Sequence, residues 1–173
     1  MRIMNRLLLA GMIGLISVVS ANAQFDQYFW EKTMRFDFYH CGDQNTQSYF
    51  FDELKEEPYW AGSKVSLIDD NGYGNQLFKL VDEASGKLIY SRSYCTLFNE
   101  WQTTPEAAET MKCMPESVAF PFPKKDARLE LYARNRKGKF EKKFEYSIRV
   151  NSYFIKRFTP CLLYTSDAAD DLT

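Results

Sequence analysis

The sequence predicts an all-β fold, an antiparallel β-sandwich with one or two short helices, for which an immunoglobulin-like arrangement is a candidate. Three observations predict it. Apolar and polar side chains alternate with period two along several segments, the pattern of half-buried strands. Those segments are separated by short turns rich in Gly, Asn and Asp. Helical periodicity is scarce.

The elements follow in chain order. Gln27 to Thr33 reads as a short helical turn. Met34, Phe36, Phe38 and His40 then share one face of a strand, with Arg35, Asp37 and Tyr39 on the other. Lys64 to Ile68 is a short apolar run ended by Asp69-Asp70-Asn71-Gly72. Gln76 to Val81 and Lys87 to Tyr94 flank the turn Asp82 to Gly86 and read as a hairpin. Thr104-Pro105-Glu106-Ala107-Ala108-Glu109 has an N-cap Thr and a Pro at the first helical position. Ser117 to Phe122 turns Val118, Phe120 and Phe122 inward, and Pro121 and Pro123 confine it to a sheet edge. Leu129, Leu131 and Ala133 face in on the next strand. After the turn at Asn135-Arg136-Lys137-Gly138, Phe144, Tyr146, Ile148 and Val150 face in as its hairpin partner.

The chain divides into four stretches. Residues 1–23 read as a signal peptide: Arg2 and Arg6, an apolar run Leu7 to Val19 too short for a helical span, and the cleavage site Ala21-Asn22-Ala23. The mature chain is then expected to start at Gln24, be exported to periplasm, cell surface or medium, and carry no membrane span. Residues 24–150 form the sandwich, and 151–160 begin a connection to a further domain. The tail 161–173, with CLLYTSDAADD from Cys161, resembles the in-frame translation of a transposase adapter used in DNA library preparation. The native course is therefore expected to be interrupted near Pro160.

Composition narrows the function. Without Arg2, Arg6, Asp167, Asp170 and Asp171, the 22 basic and 23 acidic residues become equal in number. A neutral domain has no electrostatic footprint for nucleic acid. Three cysteines remain, Cys41, Cys95 and Cys113. They allow at most one internal pair, which the sequence does not choose, and match no zinc spacing. A core of this size needs no staple, so buried, unpaired thiols are the favoured reading.

No chemistry-bearing constellation stands out, and no catalytic, cofactor-binding or metal-ligating residue is assigned. His40, the one histidine, shares its face with Phe36 and Phe38 and reads as a core residue. Asp69 to Asn75 fails the calcium-loop pattern because Tyr73 sits where a ligand belongs. Glu53, Glu56 and Glu57, and Glu106 and Glu109, lie in polar segments and read as solvated surface. Tyr59, Trp60 and Trp101 are the candidate binding surface, for a protein or a glycan; their rival role is to cover the core.

The strings FDQYFWEKTMRFDFYHCGD (from Phe25), YFFDELKEEPYWAGSKVSLID (from Tyr49), GYGNQLFKLVD (from Gly72), YCTLFNEWQTT (from Tyr94) and PESVAFPFPK (from Pro115) together resemble the N-terminal domain of bacterial IgA-type peptidases. These are secreted zinc metallopeptidases. The resemblance implies a β-sandwich-like domain ahead of a catalytic domain whose H-E-x-x-H site holds zinc, the Glu activating the bound water. No position of this chain matches that motif. The implied function is therefore a non-catalytic accessory domain, with zinc expected in the absent catalytic domain and that domain as its partner. The alternative is a stand-alone extracellular module that binds protein or glycan.

Overall fold

A computed structural model describes residues 24–159; the expected signal peptide and the tail from Cys161 lie outside the described residues. Two four-stranded sheets face each other. In the first, β1 (Phe29–Gly42) is flanked by β5 (Lys112–Pro123) and β2 (Gln47–Glu57). A short β8 (Ile155–Lys156) adds parallel to the far side of β2. The second sheet has the order β4 (Leu88–Tyr94), β3 (Gln76–Asp82), β6 (Ala127–Arg134), β7 (Phe140–Ile148).

The predicted alternation becomes the core. Met34, Phe36, Phe38, Leu80, Leu129, Leu131 and Ile148 are buried together. Rings meet across the two sheets, Phe36 on Tyr146 at 5.4 Å and Phe78 on Phe120 at 6.1 Å. Both expected hairpins form, and each turn closes on a glycine with positive φ, Gly86 at 68° and Gly138 at 74°. A side chain there would be strained, which is why glycine stands at both. The proline-bearing strand β5 is an edge, as its missing donors require. The other edge on that flank, β4, is covered by a strap. Ser91 N donates to Leu67 O at 3.0 Å, and Ser93 N donates to the Asp69 carboxylate at 2.7 Å. Covered edges cannot recruit a second chain.

Several expectations are corrected. The polar stretch holding Glu53, Glu56 and Glu57, read as solvated surface and given no element, is strand β2, with Tyr49 and Leu54 buried. Lys64 to Ile68 forms no strand; it is the strap over β4. The helical turn lies at residues 24–28 and β1 begins at Phe29, inside the stretch expected to be helical. A second helix, α1 (Leu97–Trp101), is capped by Thr96, whose side chain accepts from Asn99 N. It precedes α2 (Glu106–Glu109), the helix expected after Pro105.

Cys41 and Cys113 are not unpaired thiols. They are register partners on β1 and β5 and form a disulfide, leaving Cys95 free and exposed. The fold also continues past Val150, because Ile155 of β8 is buried in the main core. The strand order is not immunoglobulin-like in the first sheet. There β1 is central, whereas the immunoglobulin order places the first strand at an edge.

Candidate functional site

The two ends of the sandwich carry different chemistry, and β1 runs between them. At its start, β1 lies beside the end of β2, the end of β5 and the segment after β7. Trp30, Tyr59, Phe122, Asn151 and Arg157 line a cleft of about 710 Å³ there. Trp30 is 54% exposed and Tyr59 80% exposed. Lys124 Nζ sits 4.5 Å from the Trp30 ring centre and Arg157 stacks over Phe122. Thr33 Oγ1 donates to Tyr59 O at 2.6 Å, which anchors the Tyr59 backbone while its ring stays in solvent. Beneath the cleft, Glu56 accepts from Lys32 at 2.8 Å and from Arg157 at 3.0 Å. Burial alone would raise its carboxyl; those two cations outweigh it and hold it below the usual range.

At the far end of β1 the polar groups are inside. His40 is fully buried, stacked between Tyr49 (4.4 Å) and Phe98 (3.9 Å). Its Nδ1 lies 3.2 Å from both oxygens of Glu116 on β5, and its Nε2 lies 3.0 Å from the Gln47 side chain. Tyr49 OH donates to Gln76 Oε1 at 2.6 Å, and Gln76 Nε2 donates to Asn99 Oδ1 at 2.8 Å. The chain of bonds ties five elements together: β1, β2, β3, β5 and α1. Burial pushes the Tyr49 hydroxyl well above its ordinary pKa, and the Glu116 charge adds to that.

The three candidate aromatics are not brought together. Tyr59 stands free at the first end. Trp60 next to it is half-buried, edge-on to Tyr90 at 5.8 Å, with Nε1 donating to Ser63 O. Trp101 is only 7% exposed and belongs to a small core of Phe98 and Ala107 at the opposite end. Its Nε1 donates to Glu106 at 3.0 Å. Phe98 stacks on His40 while Tyr59 is bound to Thr33. Seven residues of strand separate those positions, roughly 23 Å at 3.3 Å per residue. Sequence reasoning missed Trp30, which is the second residue of β1 and lies in the stretch expected to be helical. The carboxylates Glu53 and Glu56 were read as solvated but are paired. Glu53 is held low by Lys156 and then Lys55.

Among the described residues, no three His, Cys, Asp or Glu side chains converge to hold a metal ion, and no helix is long and apolar enough to cross a membrane. Comparison with known families gives one match: residues 24–145 match the family described as Peptidase M64 N-terminus. The matched stretch runs from the first described residue into β7 and so takes in both ends of β1. No curated protein matches the chain.

Proposed function

We propose, because the chain belongs to the peptidase M64 N-terminus family, that it is a non-catalytic accessory domain of an exported zinc peptidase. The family match is the observation that carries this reading. Two structural facts support its parts. The Cys41–Cys113 disulfide suits an oxidising compartment and so supports export. The exposed aromatics Trp30 and Tyr59 share a cleft with Arg157, the residue that follows β8. A following catalytic domain would meet that surface first, and aromatic rings of this kind anchor interfaces between domains.

The test begins with the source DNA, read across the codon for Pro160 from a library made without transposase adapters. The expected outcome is an open frame that runs on into a helix bearing H-E-x-x-H. A stop codon shortly after Pro160 would overturn the reading. In the longer protein, chelation should abolish peptide hydrolysis, while the present chain should hydrolyse nothing with or without added zinc.

A second reading has one specific observation in its favour. Trp30 and Tyr59 flank a cleft with the Asn151 amide and several charged groups at its wall, a combination that stacks and hydrogen-bonds a sugar ring. Reproducible retention on a glycan array, lost in Tyr59→Ala with the fold intact, would favour this reading.

A further inference from the structure

Three features meet at Gln24. The expected cleavage site, Ala21-Asn22-Ala23, makes it the first residue of the exported chain. The family match starts at the same residue. The next residue, Phe25, is 1% exposed in the main core, its ring 5.6 Å from that of Phe29. The core therefore takes hold one residue past the cut. Lys124 N donates to Tyr28 O at 2.8 Å and fixes this segment to the end of β5.

The surroundings do not favour a further cation. A free α-amine is largely protonated near neutral pH. Here it would stand on a half-buried residue, next to a buried phenyl ring. A charge beside apolar surface loses hydration. Two lysines already serve the segment. Lys64 Nζ lies 5.7 Å from the Phe25 ring centre and pairs with Glu31. Lys124 Nζ donates to the Asp26 carbonyl oxygen, a neutral acceptor. Of the two carboxylates in the segment, Glu31 is taken by Lys64 and Asp26 is exposed.

We propose that Gln24 is a modification site and that the exported chain begins with pyroglutamate. The proposal rests on the export reading given above. The α-nitrogen of Gln24 attacks Cδ of its own side-chain amide. A new C–N bond closes a five-membered lactam. The C–N bond to the side-chain nitrogen breaks, and that nitrogen leaves as ammonia with a proton from the amine. No oxidant, reductant or second substrate is consumed. Amine and amide belong to one residue, so the step is intramolecular and needs no encounter. An asparagine in the same place would have to close a four-membered ring. The product carries no terminal charge, so it lies beside Phe25 with nothing to hydrate. It also offers no α-amine to an aminopeptidase, and the next residue such an enzyme would remove is Phe25, which the core holds.

The test takes the protein from the envelope or medium of its source organism, labels free amines by reductive methylation, then digests it and maps the first peptide by mass spectrometry. Labelling before digestion excludes ring closure during preparation. The expected peptide starts at position 24, lacks the α-amine label and is lighter than its unmodified sequence by one ammonia. Pyroglutamyl peptidase, applied to the unfolded protein, should release the lactam and leave Phe25 first. Gln24→Ser, exported by the same host, should keep an α-amine that takes the label, while the parent takes it on lysines alone. A chain that starts with unmodified, labelled Gln24 would overturn the proposal and leave export standing, as would a cut at any other position. A chain that keeps the run Leu7 to Val19 would overturn the proposal and the export reading together.

Discussion

The two ends of β1 use the same residue types to opposite effect. At its start, Trp30 and Tyr59 hold their rings in solvent over a layer of ion pairs, Lys32 and Arg157 on Glu56. At its finish, Trp101 and Phe98 are buried, and the polar side chains His40, Gln76 and Glu116 lie beneath them. One end leaves its rings uncovered. The other is already covered, by α1 and α2 and by the disulfide beside His40. Aromatic content alone therefore says nothing about function; what decides is which element a ring finds to pack against.

Breaking the closed end should have the largest effect. Phe98 is fully buried and touches both His40 and Trp101. Phe98→Ala removes a ring and leaves a cavity over a buried histidine, a loss of about 3–5 kcal/mol. Chemical denaturation should show it as a lower midpoint with little change in slope. Next comes the disulfide, which joins residues 72 apart in sequence. The double variant Cys41→Ser, Cys113→Ser should lose about 2–4 kcal/mol. A reductant should lower the melting temperature of the parent protein and leave that of the double variant unmoved.

Acid should act on the same end through the strap over β4, with a smaller effect because Asp69 is only partly buried. Its carboxylate accepts from Gly72 N first and then from Ser93 Oγ and N, with Asn71 N besides. These donors hold its pKa well below the ordinary carboxylate range. The folded value is lower than the unfolded one. The stabilisation is therefore fully present above the unfolded value, about 4, and is lost as the pH falls below it toward the folded value. Thermal melts from pH 6 to pH 2.5 should show the parent losing stability faster than Asp69→Asn. Parallel curves for the two proteins would show that the strap does not depend on that charge.

What the sequence made legible follows the same division. The hairpins β3–β4 and β6–β7, the inward face of β1 and the edge position of β5 all appear as alternation or proline placement. His40 was readable as a core residue because Phe36 and Phe38 share its face. Strand β2 was not readable, and the register explains why. Asp37 pairs with Glu53 but Phe38 pairs with Phe51, so Asp52 is an extra residue in a bulge. The bulge flips the parity: Tyr49 and Phe51 point in before it, Leu54 and Glu56 after it. A search for strict period two sees a polar stretch instead. The Cys41–Cys113 pair was equally hidden, because it depends on β1 and β5 becoming neighbours across most of the chain. Trp60 and Trp101 were grouped in one candidate surface; only the packing of each ring, Trp60 on Tyr90 and Trp101 on Phe98, separates them.

The smallest expected change in stability belongs to the open end and carries the sharpest contrast. The Tyr59 ring touches little, and its backbone oxygen, which any residue supplies, makes the bond to Thr33. Tyr59→Ser should alter stability by no more than about 0.5 kcal/mol, the usual range for an exposed position. Its neighbour Trp60 packs on Tyr90 and donates to Ser63 O, so Trp60→Ser should cost visibly more under the same denaturant series. If instead Tyr59→Ser destabilises the isolated chain as much as Trp60→Ser does, the ring is part of the core's own cover and the open end is not a free surface. If the isolated chain is indifferent while a longer polypeptide becomes cleavable by added protease just after residue 159, then the ring is spent on holding the next domain. That pair of measurements separates a residue the fold needs from one that only a partner needs.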